Sequence, residues 1–134
     1  MIRPTMLIAA IAAAAALGSS ASADPAPAAP GTLTVTLQNF HFAPAELRLV
    51  HGRAYRLHLV NDGHGSHNFV APAFFAAAAL DPRSRALAAK GKVDVAGGTS
   101  VDLDLVAPAA GTYPVKCSHF MHSSMGMKAS IVVE

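Results

Sequence analysis

Gly111-Thr112-Tyr113-Pro114-Val115-Lys116-Cys117-Ser118-His119-Phe120-Met121-His122-Ser123-Ser124-Met125-Gly126-Met127 is the stretch on which both the fold and the site turn. Its first third, 113–117, has the β-branched and aromatic content of a strand, and Pro114 predicts an edge or an irregular start there. It ends where 128–134 begins, a second run with strand character. Between the two lies a loop with one thiol, two imidazoles and three thioethers in the eleven residues 117–127. That density of soft donors on a strand-to-strand connection predicts a metal site mounted on β structure.

The pattern extends upstream. Residues 32–37 alternate Thr-Leu-Thr-Val-Thr-Leu, a half-buried strand with the threonines outward. Residues 46–50 alternate again after Pro44, and 55–60 place Tyr55, Leu57 and Leu59 on one face. Residues 68–71 are a short apolar strand, 93–95 are a further short strand, and 101–105 alternate strictly with Asp102 and Asp104 outward. His51-Gly52, Asn61-Asp62-Gly63 and Gly97-Gly98 are turns. One segment breaks the pattern: 73–80 is rich in Ala and Phe without β-branched residues and predicts one short helix, ended by Asp81-Pro82. Within it, Ala73-Phe74-Phe75-Ala76 reads as cover for a core rather than as a docking patch. The polar connection 83–92 has room for another helical turn. About seven or eight short strands at even spacing predict an all-β, antiparallel Greek-key sandwich over 32–134, with no internal repeat.

The first 31 residues belong to a different class. Arg3, the apolar run 6–17 and the small-residue triplet 21–23 read as a secretory leader, with cleavage expected after Ala23. The run is too short to span a bilayer, which needs about 20 apolar residues. Residues 24–31 are a Pro/Ala linker. The chain is therefore expected in the periplasm, as a monomer without stable membrane insertion. With a net charge of only +2 and scattered Lys and Arg, it offers no basic, aromatic-interleaved face for nucleic acid. Exported small domains commonly rely on disulfides, yet Cys117 is the only cysteine of 134 residues. A lone exported cysteine implies intermolecular pairing, a reactive thiol or a metal, and the neighbours of Cys117 favour the metal.

Thiolate and thioether sulfur together with imidazole suit copper, and two His and one Cys with a weak axial Met is the ligand set of a mononuclear electron-transfer site. Cys117, His122 and Met127 can supply three of the four from one loop. His67, at the start of an apolar strand after a turn, is the best candidate for the fourth, with His64 the weaker competitor. His41, His51 and His58 read as surface or turn residues, and His119 as exposed.

Three segments together resemble the cupredoxins, the blue copper proteins of the plastocyanin and azurin type, over 32–134. Phe42-Ala43-Pro44-Ala45-Glu46-Leu47 resembles an early F-x-P-x-x-L segment, and Asn61-Asp62 through His67-Asn68-Phe69 resembles the first-ligand segment. Gly111-Thr112-Tyr113 with Cys117, His122 and Gly126-Met127 resembles G-T-Y followed by C-x4-H-x4-M. The resemblance implies that His67, Cys117 and His122 bind one copper ion in a plane with Met127 axial. It also implies that Asn68 ties the first-ligand segment to the loop beside the cysteine. His119, Met121 and Met125 are additional donors that the family pattern lacks; Met125 is the alternative axial residue. Lys128-Ala129 stands where many relatives have a residue followed by Gly.

Two functions follow. One is a one-electron carrier docking with redox partner proteins; the other is a copper-handling protein exchanging the ion with copper donors and acceptors. An enzyme is not expected: Lys116 stands where copper nitrite reductases have a bridging His, and a binuclear oxidase centre needs two cysteines.

Overall fold

The structure, a computed structural model, describes residues 31–119 and 126–134. The expected leader, the linker up to residue 30, and Phe120, Met121, His122, Ser123, Ser124 and Met125 lie outside the described residues. The chain begins with β1 (Gly31–Gln38), β2 (His41–Ala43), β3 (Glu46–Leu49), β4 (Ala54–Asn61) and β5 (His67–Val70). Helix α1 (Pro72–Ala77), β6 (Ala79–Leu80) and helix α2 (Pro82–Leu87) follow, then β7 (Lys92–Val95), β8 (Ser100–Val106), β9 (Gly111–Lys116) and β10 (Lys128–Val133). The strands form two five-stranded sheets, ordered β2-β1-β4-β8-β6 and β3-β10-β9-β5-β7. Among the described residues no helix is long and apolar enough to cross a membrane.

Alternation decides which residues face the space between the sheets. Val35 and Leu37 on β1, Tyr55, Leu57 and Leu59 on β4, and Leu103 and Leu105 on β8 are all buried. They oppose Leu47 and Leu49 on β3, Phe69 on β5, Val93 and Val95 on β7, Val115 on β9 and Ile131 and Val133 on β10. Each such side chain contributes about 1.5–3 kcal/mol by leaving water. A run of aromatic contacts, edge-to-face except for the tilted Phe69–Phe75 pair, crosses the core. Phe42 meets Phe69 at 5.8 Å, Phe69 meets Phe75 at 5.9 Å, Phe75 meets Phe74 at 5.6 Å and Phe74 meets Tyr113 at 5.7 Å between ring centroids. Phe74 and Phe75 are buried, so α1 covers the core, as the sequence indicates.

Three details differ from the sequence reading. The sheets are mixed, not purely antiparallel: β1 runs parallel to β4 and β3 runs parallel to β10. The chain leaves the first sheet after β2, crosses at Pro44 to place β3 in the second, and returns as β4, so β1 and β4 point the same way. Among the described residues the strands number ten because β2 and β6, three and two residues long, also pair. Lastly, the helix predicted over 73–80 stops at Ala77. Ala78 is extended at ψ 147°, and Ala79 and Leu80 pair with Val106 and Leu105 of β8. Burial of Leu80 in the sheet outweighs the helix preference of an alanine run. Pro114 lies on a strand with neighbours on both sides, yet its missing N–H leaves no ladder bond unmade. The Ser130 N–H opposite it turns away to Ala45 O, and β5 pairs with β9 only at Val70–Lys116.

Helix α2 begins with Pro82 behind Asp81, whose carboxylate accepts the Ser84 N–H at 3.1 Å. This is an N-cap satisfying an otherwise unpaired donor. Hydrogen bonding from the Ser84 side chain first, then from the Ser84 and Arg83 backbone N–H groups, holds the Asp81 carboxyl below the usual carboxylate range against an opposing effect of burial. A native pKa below the unfolded value stabilises the fold fully above the unfolded pKa of about 3.9 and loses that effect as pH falls through the native value. Asp81→Asn keeps a capping side chain but removes the charge. Thermal unfolding from pH 7 to pH 2 should therefore show the variant less stable than the parent at neutral pH, with the gap closing below about pH 4.

Candidate metal centre

Three strand ends converge at one end of the second sheet, on its inner strands β5, β9 and β10. His67 is the first residue of β5, Cys117 follows the last residue of β9 and Met127 precedes the first residue of β10. Each sits at an inward position of its strand's alternation, and His67, Cys117 and Met127 are 1%, 0% and 0% exposed. The Cys117 N–H donates to Met127 O at 3.2 Å. That bond continues the β9–β10 ladder one step past Lys116–Lys128 and sets the thiol and the thioether on adjacent strands facing the same way. His67 Nδ1 lies 3.9 Å from Cys117 Sγ. Bonds of about 2.0 Å to imidazole nitrogen and about 2.3 Å to thiolate sulfur, at angles of about 110–130°, place two donors on one ion about 3.5–3.9 Å apart. The observed separation fits a shared ion. An imidazole, a thiol and a thioether in a dry setting are a donor set that suits copper. Among the described residues no group of three or more His, Cys, Asp and Glu gathers; His122, Met121 and Met125 lie outside them.

Asn68 is 2% exposed and clamps the two segments together. Its Nδ2 donates to Ser118 Oγ at 2.7 Å, and its Oδ1 accepts the Ser118 N–H at 2.8 Å. The start of β5 is thereby tied to the residue after Cys117.

Two further residues hold the loop that delivers His67. Asn61, 1% exposed, donates from Nδ2 to Gly65 O at 2.8 Å and to Val95 O at 2.9 Å, and its Oδ1 accepts the Gly63 N–H at 3.0 Å. Every polar atom of that amide works within the 61–67 loop or bridges it to β7. Gly97 gives the same loop its seat: a Cβ there would stand 2.4 Å from His64 O. Neither role is evident from the sequence, where Asn61 and Gly97 read only as turn residues; the signal was a polar residue at the end of an apolar strand and a glycine pair after another. Gly126 has φ +98°, a conformation that side chains rarely adopt, and it turns the chain directly into Met127.

The other histidines are elsewhere engaged or exposed. His51 Nδ1 pairs with Pro108 O at 2.8 Å, His41 Nδ1 with Asn39 O at 3.3 Å and His58 Nδ1 with the Asp102 carboxylate. His64 is exposed. His119 is exposed too, and its ring stands edge-on to that of His67 with centroids 6.5 Å apart.

Removing a buried clamp leaves two groups of Ser118 to find new partners. Asn68→Ala should lower unfolding stability by about 1–3 kcal/mol in denaturant titration, whereas Asn39→Ala, on an exposed turn, should change it by less than about 0.5 kcal/mol.

The family model for the cupredoxin-like domain matches residues 7–133. No curated protein matches the chain. Among solved structures, the dithionite-reduced auracyanin of the photosynthetic bacterium Roseiflexus castenholzii superposes with a TM-score of 0.57 at 18% identity, covering 80% of this chain and 99% of that one. Auracyanin B gives 0.55 at 22% identity, covering 86% and 95%. Auracyanin A, a "blue" copper protein from the green thermophilic photosynthetic bacterium Chloroflexus aurantiacus, gives 0.54 at 19% identity, covering 78% and 100%. At these identities the likeness is one of fold.

Proposed function

Since the chain belongs to the cupredoxin-like domain family, we propose that it is an exported one-electron carrier, not an enzyme, holding one copper ion between His67, Cys117, His122 and Met127. The observation that carries this reading is the buried pair of His67 Nδ1 and Cys117 Sγ at 3.9 Å, with Met127 fixed to Cys117 by a ladder bond. Bound copper supplies a Cu(II)/Cu(I) couple that gains and loses one electron. The protein's part is to keep the donors still and dry. Cys117 would hold the ion as a thiolate, the form in which a thiol ligates metal. The Asn68–Ser118 clamp limits movement of the thiolate, and the Asn61 bonds limit movement of the imidazole. Such outer contacts orient ligands and tune the potential. His122, on the loop between the two sulfurs, is assigned the fourth ligand position and the port for electrons. The partners are redox proteins, met transiently by a monomer.

A second reading, exchange of copper with donors and acceptors, is favoured by His119. Its exposed imidazole beside His67 gives an incoming ion a first contact outside the buried set.

The experiment is to load the protein with Cu(II) and record visible and EPR spectra. An intense red-region absorption with narrow copper hyperfine splitting is expected, lost in Cys117→Ser and in His67→Ala and kept in His64→Ala. A folded protein without that band sinks the carrier reading; colourless Cu(I) binding with rapid release to a chelator supports the exchange reading. Colour retained in His67→Ala means another residue serves as the upstream ligand. Export is proposed from the leader pattern of 1–23: expression of the full chain in a bacterium should yield a periplasmic protein whose intact mass begins at Asp24, and an uncleaved cytoplasmic product contradicts it.

A further inference from the structure

The outer face of the second sheet carries a row of cations that the metal site does not explain. Cross-strand register aligns Lys92 of β7 with Val70 of β5, Val70 with Lys116 of β9, and Lys116 with Lys128 of β10. All four point away from the core, because their neighbours Val93, Phe69, Val115 and Met127 are the buried ones. With strands about 4.8 Å apart, three lysines and a valine span about 14 Å in one line.

Neutralisation along the row is uneven. Lys92 reaches Asp94 at 3.8 Å, and elsewhere Arg48 pairs with Glu46 and Glu134 and Arg56 with Asp104. Lys116 and Lys128 make no ion pair among the described residues. They are also directly opposite each other. Because the next pair, Cys117–Met127, is hydrogen-bonded, Lys116–Lys128 is a non-hydrogen-bonded pair, in which side chains stand closest. Like charges directly opposed destabilise a sheet. The fold alone gives no reason to keep two unneutralised ammonium groups there.

Beside the row lies a groove of about 420 Å³, lined by Val70, Pro72, Pro114, Val115 and the stems of Lys116 and Lys128. It lies next to Val70–Lys116, the position at which β5 pairs with β9. A concave apolar floor with a cationic rim receives a protruding group that carries negative charge around it. A cluster that holds an anionic bilayer by charge takes about four to eight Lys or Arg, more than the three of this row, and interfacial binding also draws on an exposed apolar face to bury. The exposed large hydrophobic residues, Phe40, Val50, Leu87 and Val106, line no part of this groove.

We propose that the row Lys92–Lys116–Lys128, with the adjoining groove, is the docking surface for the acidic face of a partner protein. The row lies on the back of the strands whose inward residues are Cys117 and Met127, each one residue from a lysine. A partner seated there is therefore separated from both sulfurs by a single layer of backbone. That the partner is a one-electron redox protein rests on the copper reading above; that an acidic protein face docks here does not.

The test uses flavodoxin, an acidic one-electron protein, as the probe. Titrated into the metal-free protein, it should shift amide resonances around residues 70, 92, 116 and 128. With the copper-loaded protein, stopped-flow reduction by flavodoxin should slow with added salt. Lys116→Glu/Lys128→Glu should lower the association rate at low ionic strength at least about tenfold and flatten the salt dependence. Lys116→Arg/Lys128→Arg should retain it, and Arg48→Glu, on the same sheet outside the row, should change it far less. Thermal unfolding guards against a folding defect, and Lys116→Glu alone should raise the melting temperature by replacing a repulsion with an attraction. Unchanged association in the double Glu variant overturns the proposal. So does binding of the row to phosphatidylserine-containing vesicles with none to flavodoxin. Shifts that map to the row in a protein lacking the copper spectrum uphold the docking surface while refuting the copper reading.

Discussion

The register between β9 and β10 is the constraint from which the rest of the site follows. Strand side chains repeat with a period of two, so the pairing of Lys116 with Lys128 fixes which residues of both strands face inward. A slip of one residue on either strand would put a lysine into the core and a sulfur into solvent. The Cys117–Met127 backbone bond makes the register explicit at the position where it matters. It also explains why the thiol and the thioether are buried beside each other although nine residues of chain lie between them. Burial of Val115 and Ile131 on the same face supplies the free energy that resists such a slip.

Once those strands are fixed, the imidazole has to be brought in from the neighbouring strand, and here polar contacts take over from apolar packing. Asn61 and Asn68, both buried, act on either side of His67. One holds the loop that precedes it to β7, and the other ties the residue after it to Ser118. Buried amides are tolerated because their donors and acceptors are matched. They achieve what packing does not, since a hydrogen bond specifies direction and an apolar contact does not. The pocket is thus assembled from a sheet register, which sets depth, and two side-chain amides, which set orientation.

Much of this was readable from residues alone where a local pattern carried it. Strands β1, β4 and β8 are half-buried, so their sequences alternate visibly, and Thr32, Thr34 and the outward Asp102 announce the solvent face. Cys117, His67 and Met127 stood out through their chemistry together with a family resemblance, and the structure brings these three buried residues to one end of the sheet. Strands β2 and β6 were invisible because two or three residues cannot display a period. The parallel pairs were hidden for another reason: β1–β4 and β3–β10 depend on where a distant segment returns, which no window of sequence contains. Asn61, Gly97 and the lysine row share that origin. Each owes its role to a neighbour on another strand, such as the His64 carbonyl against Gly97.

The pairing of β3 with β10 has a temporal meaning as well. Residues 46–49 find their sheet partner only in 130–133, across most of the domain. During synthesis β3 therefore emerges long before the strand that will lie beside it, and the loop-closure entropy of so distant a pairing slows folding. Until β10 inserts between β3 and β9, the second sheet is two fragments, and the thioether at its threshold has no wall behind it. The pocket is thus complete only once β10 is in place, and a soft metal ion met earlier by the nascent chain would find a thiol but no cage.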